Sequence, residues 1–115
     1  MSMTATPSTL SPVVGSTFTI RTTVLNPAYE AYGVQVSAAA ASSGLSLLGV
    51  STTREDGVTM DFPNAANLTL GTVTEADTRS ATWRFSVNAR GPQTIRFRAW
   101  SNNGGTVFKS VTVTP

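Results

Sequence analysis

The sequence contains neither cysteine nor histidine. This double absence excludes disulfide bridges, cysteine or histidine nucleophiles, Ser-His-Asp triads, haem ligation by these residues and the usual zinc sites. Charged residues make up only 12 % of the 115 residues, about half of the usual share. The net charge of +2 is too small for an obligate nucleic-acid binder. We therefore expect no nucleic-acid partner and little of the familiar enzyme chemistry.

Long apolar runs are absent as well. No segment approaches the roughly 18 apolar residues of a membrane helix, so no membrane span is expected. The first six residues have no basic region and no apolar stretch, so we expect no signal peptide within this sequence. The chain is therefore either cytoplasmic or a piece of a longer exported protein. Its length fits a single domain at residues 1–115.

Apolar and polar residues alternate along most of the chain. From Phe18 onward, Phe18, Ile20 and Val24 fall on one face, and three threonine and arginine residues fall on the other. A period of two is typical of a half-buried strand. The same alternation predicts further strands at residues 34–38, 83–87, 95–99 and 111–113. Weaker patterns predict strands at residues 4–10, 45–50, 58–62 and 68–73.

Glycine, proline and asparagine separate these segments at the spacing that an all-β sandwich needs. Helical periodicity is nearly absent, and we interpret the short run 38–41 as a strand end followed by a loop. The sequence therefore predicts one antiparallel β-sandwich of seven to nine strands, with a Greek-key crossover in residues 49–67.

The two ends of the chain carry specific expectations about sheet edges. Pro7 cannot donate to a strand ladder, so we expect the first strand at an edge. In the last strand, the parity that buries Val111 and Val113 would also bury Lys109 and expose Phe108. Either a β-bulge shifts the face between Phe108 and Val111, or Phe108 lies on the surface beside a solvated Lys109.

A series of glycine, asparagine and apolar landmarks runs through the chain. They are Gly15-Ser-Thr-Phe18, Val24-Leu-Asn26-Pro27, Gly33-Val34-x-Val36, Gly44-Leu45-x-Leu47, Leu70-Gly71-x-Val73, Gly91 before Ile95-x-Phe97, and Gly104-Gly105 before Val111-x-Val113. From Thr4 to Pro115 the chain resembles the repetitive immunoglobulin-like modules of bacterial and archaeal surface and secreted proteins, including the CARDB type.

The resemblance implies an immunoglobulin-like fold and a non-catalytic role as a structural spacer, adhesion or assembly domain. It also implies an extracellular or cell-surface location, neighbouring domains of the same polypeptide as partners, and a linker or next module after residues 112–115. A polysaccharide or a cell-surface protein is a further partner to consider. We expect the isolated domain to be monomeric.

The two tryptophans differ in their predicted surroundings. Trp83 shares the parity of Phe85 and belongs in the core. Trp100 shares its outer face with Arg96 and Arg98. It is either a stacking platform for a sugar or part of a cation–π cluster, or else it packs locally under the hairpin at residues 102–105.

Two tyrosines form a second candidate site. Tyr29 and Tyr32 flank Glu30 in the predicted loop after Asn26-Pro27, at one end of the sandwich. Two tyrosines and a carboxylate could hold a carbohydrate. Alternatively, one tyrosine closes the end of the core with its hydroxyl group in water.

Arginines alternate outward on two predicted strands. Arg84, Arg96 and Arg98 would form a basic stripe for an acidic polysaccharide or nucleic acid if their strands are neighbours. The alternative is that they lie along exposed sheet surface and pair with carboxylates across strands.

The carboxylates do not form a catalytic or metal-binding pattern. Glu55, Asp56, Glu75 and Asp77 fall in predicted loops, but the spaced aspartates of a calcium loop are missing. No carboxylate pair fits acid–base catalysis. We therefore predict no catalytic residue, no bound metal and no cofactor. The expected function is that of a non-enzymatic module, with a carbohydrate-binding module as the alternative.

Overall fold

The computed structural model describes residues 2–26, 31–53, 59–63, 67–73, 77–103 and 105–115. Within these ranges the chain forms strands and no helix. The nine strands are β1 (Ser2–Pro7), β2 (Thr17–Asn26), β3 (Ala31–Ala41), β4 (Leu45–Thr53), β5 (Thr59–Pro63), β6 (Asn67–Val73), β7 (Asp77–Val87), β8 (Gln93–Ser101) and β9 (Gly105–Val113). The all-β prediction is confirmed.

The strands form two antiparallel sheets, one with the order β1-β2-β7-β4-β5 and one with the order β6-β3-β8-β9. The order β1-β2-β7-β4 corresponds to the A-B-E-D sheet of an immunoglobulin domain, and β3-β8-β9 corresponds to its C-F-G strands. The chain crosses from one sheet to the other between β5 and β6, inside the predicted crossover stretch. The immunoglobulin-like sandwich is therefore confirmed.

The core lies between the sheets and consists of the inward-facing residues that the alternation predicts. Trp83 is fully buried, as expected, and its ring centroid lies 5.5 Å from that of Phe97 in the opposite sheet. The indole Nε1–H of Trp83 donates to the buried hydroxyl of Thr22 at 2.9 Å. This bond allows the polar edge of the tryptophan to be buried without an unsatisfied donor.

The last strand settles the two alternatives for Phe108 and Lys109. Its pairing with β8 runs without a shift from Gln93–Val113 to Ser101–Gly105, so the bulge alternative is wrong. Phe108 faces outward and is 50 % exposed. Lys109 has the inward parity of Val111 but is exposed, because β9 is an edge strand and its side chain reaches solvent. An inward-pointing charge of this kind protects a sheet edge from pairing.

One of two local predictions needs correction. Residues 38–41 form the end of β3, with a register shift between Ala38 and Ala40, and the loop begins at Ser42, as predicted. The shift absorbs the extra residue that the alternation could not place. The first strand ends at Pro7, three residues before the predicted end. Its position at an edge is confirmed.

The first and last described residues lie at opposite ends of the long axis of the sandwich. Ser2 pairs with Leu25, near the end of β2, whereas Val113 pairs with Gln93, at the start of β8. We call these the N-terminal end, which also holds the β8–β9 hairpin, and the C-terminal end, which holds the loop 88–92 and Pro115. The molecule measures 42 × 26 × 18 Å along its principal axes.

Candidate functional site

The outer surface of the four-stranded sheet brings cationic and aromatic side chains together. Because Ile95, Phe97 and Ala99 point into the core, the alternate residues Arg96, Arg98 and Trp100 point outward. The register places Phe108 of β9 directly opposite Arg98. We call the surface formed by Arg96, Arg98, Trp100 and Phe108 the cation–aromatic face.

Each guanidinium group of this face lies over a ring. The Cζ of Arg98 is 4.5 Å from the centroid of Trp100, and the Cζ of Arg96 is 4.0 Å from the centroid of Phe108. Both distances fall within the range of cation–π attraction. The structure thus places Trp100 in a cation–π cluster, one of the alternatives for this residue, whereas its role in binding stays a prediction. Phe108 joins the cluster although it was not among the site residues predicted from the sequence, and its outward parity was the only signal in the sequence.

No described residue of the four-stranded sheet carries a carboxylate. Within the described ranges the acidic residues are Asp61 and Asp77, and both belong to strands of the other sheet. Arg96 and Arg98 therefore have no ion pair with an acidic side chain in that part of the chain. Besides the two rings, polar residues border this face: the register places Ser110 opposite Arg96 and Gln35 opposite Trp100.

Tyr32 is tied to the β8–β9 hairpin by its backbone. Its N–H donates to Oδ1 of Asn103 at 2.9 Å, and its carbonyl accepts the N–H of Asn102 at 2.8 Å. Gly33 makes this approach possible: its φ is +60°, and an added Cβ would lie 2.5 Å from Nδ2 of Asn102. Tyr32, which is 50 % exposed, therefore lies at the same end of the sandwich as Trp100. Tyr29 and Glu30 lie outside the described residues.

Arg84 does not belong to this surface, so the predicted stripe of three arginines is wrong. Arg84 lies on β7 in the five-stranded sheet, whereas Arg96 and Arg98 lie on β8 in the other sheet. Its Nη2 forms an ion pair with Oδ1 of Asp61 at 2.8 Å. The guanidinium group crosses β4 at Gly49, where no side chain stands in the way. For Arg84 the alternative of pairing with a carboxylate is confirmed.

The remaining surface offers less chemistry. A shallow polar groove on the outer surface of the five-stranded sheet is lined by Arg21, Ser51, Thr52, Thr59, Thr78, Arg79, Ser80 and Thr82. The hydroxyl groups of Thr23 and Ser80 bond to each other at 2.9 Å. Among the described residues no three histidine, cysteine or acidic side chains come together. The predicted loop carboxylates Glu55, Asp56 and Glu75 lie outside the described ranges.

No protein-family model matches the chain, and no curated protein is similar to it in sequence. The CARDB assignment therefore stays a prediction. The described residues also include no helix that is long and apolar enough to cross a membrane.

Solved structures, in contrast, resemble the fold. The C-terminal domain of the Streptococcus agalactiae AgI/II polypeptide BspA matches with a TM-score of 0.57 and 13 % identity, over 91 % of this chain and 44 % of that one. The pilus 2b backbone protein of group B streptococcus matches with a TM-score of 0.58 and 12 % identity, over 96 % and 56 %. This chain thus spans about half the length of these two proteins.

An enzyme is also among the similar structures. AvmM, which catalyses macrocyclization in alchivemycin A biosynthesis, matches with a TM-score of 0.60 and 9 % identity, over 98 % of this chain and 87 % of that one. Identities this low show a common fold and nothing more. A domain of a streptococcal polypeptide, a pilus backbone protein and an enzyme share this fold, so only the chemistry of the side chains can indicate a function.

Proposed function

We propose that this chain is a non-catalytic immunoglobulin-like module of a larger bacterial surface or secreted protein, in which it serves as a structural spacer, adhesion or assembly domain. The observation that carries the proposal is the placement of Ser2 and Pro115 at opposite ends of a sandwich 42 Å long. A domain of this shape extends a chain of modules along its own axis. The likeness to the C-terminal domain of the streptococcal AgI/II polypeptide BspA and to a pilus backbone protein supports this role. Neighbouring domains of the same polypeptide are then its first partners.

The strand directions also suit a module under tension. β1 runs from the N-terminal end and β9 runs toward the C-terminal end, so a pull between the two termini acts along the strands. Hydrogen bonds in an antiparallel ladder stand perpendicular to the strands. A load along the strand axis therefore acts as shear on all six β1–β2 register pairs at the same time, rather than opening them one after another.

Single-molecule pulling tests the proposal. Since the sequence has no cysteine, a Thr106→Cys substitution provides a unique second attachment point at the N-terminal end. We expect a higher unfolding force when the protein is pulled between its two termini than when it is pulled between the amino terminus and Cys introduced at Thr106. In the second geometry both attachment points lie at the same end of the sandwich, so the load acts across the strands and separates the β1–β2 pairs one after another from Ser2 onward. Equal or lower force between the termini would contradict a load-bearing spacer.

The second candidate function is carbohydrate binding. Trp100 and Tyr32, two exposed or partly exposed aromatic residues, lie at the same end of the sandwich, where the side-chain amide groups of Asn102 and Asn103 are close by. Aromatic surfaces stack on sugar rings while polar neighbours bind the hydroxyl groups. Retention on a glycan that is lost in Trp100→Ala but kept in Trp83→Phe would support this function, and no retention on any glycan would exclude it.

A further inference from the structure

The cation–aromatic face has a feature that a neutral ligand does not explain, namely two arginines held over aromatic rings without an acidic partner among the described residues. We infer that this face binds an anionic sugar polymer, carrying carboxylate or sulfate groups, in preference to a neutral one. The inference rests on the carbohydrate-binding candidate and names its class of ligand.

The described residues form no hydrogen bond with the guanidinium groups of Arg96 and Arg98, so the N–H donors of both are available. A guanidinium group that lies over a ring uses its planar surface for the contact, while its N–H donors point outward in the plane of the group. These donors form the fork that binds carboxylate or sulfate with two parallel hydrogen bonds. Arg96 and Arg98 are two residues apart on one strand, so their backbones repeat at about 6.6 Å. The strand thus presents two such forks in a row.

The charge of the sheet favours an anion. Arg84 on the opposite sheet is neutralised by Asp61 at 2.8 Å, but Arg96 and Arg98 face no carboxylate among the described residues. Their positive potential is therefore left for a ligand to complement.

The same stacking disfavours a neutral sugar. One surface of Trp100 and one surface of Phe108 are covered by guanidinium groups at 4.5 and 4.0 Å. A neutral sugar ring that stacks on those surfaces must first displace an arginine. An acidic polymer instead meets the arginines directly. It also finds hydroxyl partners on the neighbouring strand, where Ser110 and Thr112 are exposed.

Two arginines would neutralise only about two phosphates of a nucleic acid, which is too little for stable binding at physiological salt. The exposed hydroxyl groups suit the hydroxyl-rich backbone of a polysaccharide better. Nucleic acid is therefore an outcome that the test must distinguish.

Calorimetry with oligogalacturonate and with a neutral maltooligosaccharide of the same length tests the inference. We expect the wild-type protein to bind the anionic oligomer at least about tenfold more tightly, and added salt to weaken this binding. The double variant Arg96→Gln/Arg98→Gln should lose about tenfold or more of that affinity, since it removes two charge-assisted contacts. The matched control Arg21→Gln/Arg84→Gln removes the same charge from the other sheet and should bind within about twofold of wild type.

Fluorescence gives a second readout of the place of binding. A saturable change in tryptophan emission should occur in the wild type and disappear in Trp100→Phe, while thermal unfolding confirms that each variant is folded. Equal binding of both oligomers, or equal losses in the two double variants, would overturn the inference and leave carbohydrate binding intact. No binding of either oligomer would overturn both. Tighter binding of DNA of the same charge would overturn the sugar-polymer assignment.

Discussion

Replacing Phe85 by alanine is expected to lower the free energy of unfolding by about 3–5 kcal/mol, the usual cost of removing a buried phenylalanine side chain. Phe85 is fully buried on β7, the middle strand of the five-stranded sheet, and its ring centroid lies 5.9 Å from that of Phe18. A domain of this size has only about 5–15 kcal/mol of stability. Urea unfolding followed by tryptophan fluorescence should therefore show a much lower midpoint or a largely unfolded protein.

The control for this variant is one step out of phase on the same strand. Thr82→Ala removes an outward side chain and should cost no more than about 0.5–1 kcal/mol. Arg84→Ala should have a similarly small effect, because its ion pair with Asp61 is solvent-exposed. Equal losses at both parities would mean that β7 is buried on both surfaces, which contradicts a two-layer sandwich.

Deleting residues 1–10 is expected to leave a folded domain that is less stable by about 2–5 kcal/mol and that associates. The deletion removes Met3, which is buried in the core, and the loss of a buried methionine side chain costs about that much. It also removes the carbonyl of Leu10, which accepts the N–H of Thr114 at 2.8 Å. The newly exposed edge of β2 then offers unpaired backbone groups to other chains.

Light scattering and thermal unfolding measure the two effects separately. Met3→Ala is the matched control, since it loses the core contact but keeps the edge covered, and it should stay monomeric. A truncated protein that is monomeric and as stable as the intact one would show that β1 covers nothing. A fully unfolded product would mean that β1 acts as a central strand, in conflict with its position at the edge.

The period of two in the sequence predicted most of the strands and the core, because it states which side chains share a face of a strand. It could not predict which strands are neighbours. Arg84 and Arg96 have the same outward pattern, but a crossover between β7 and β8 places them on opposite sheets. The bond between Trp83 and Thr22 joins residues 61 positions apart. Such contacts depend on register between distant strands, which no local pattern encodes.

The sequence pattern also could not predict where two elements approach each other closely. Gly44 looks like a turn residue in the sequence, but the structure gives packing as the reason for a glycine there: a Cβ would lie 2.5 Å from Oε1 of Gln93. The tie between Tyr32 and the β8–β9 hairpin likewise joins two segments that the sequence presents as separate candidates. The sequence thus predicted the candidate site only as a set of residue types on one strand. The structure added Phe108 to the site and showed that no described residue of this sheet carries a carboxylate.

The most direct test of the proposed spacer role is the distance between the two ends of the folded chain. Pulsed electron spin resonance with labels at Ser2→Cys and Thr114→Cys measures this distance, and Ser2→Cys with Thr106→Cys is the same-end control. We expect the first pair to give a narrow distribution centred at about 30 Å, since eight residues of at most about 3.6 Å each separate Ser2 from Leu10, and the carbonyl of Leu10 accepts the N–H of Thr114. The control pair should give a clearly shorter distance. A first-pair distance no longer than that of the same-end control would contradict a module that receives the chain at one end and releases it at the other.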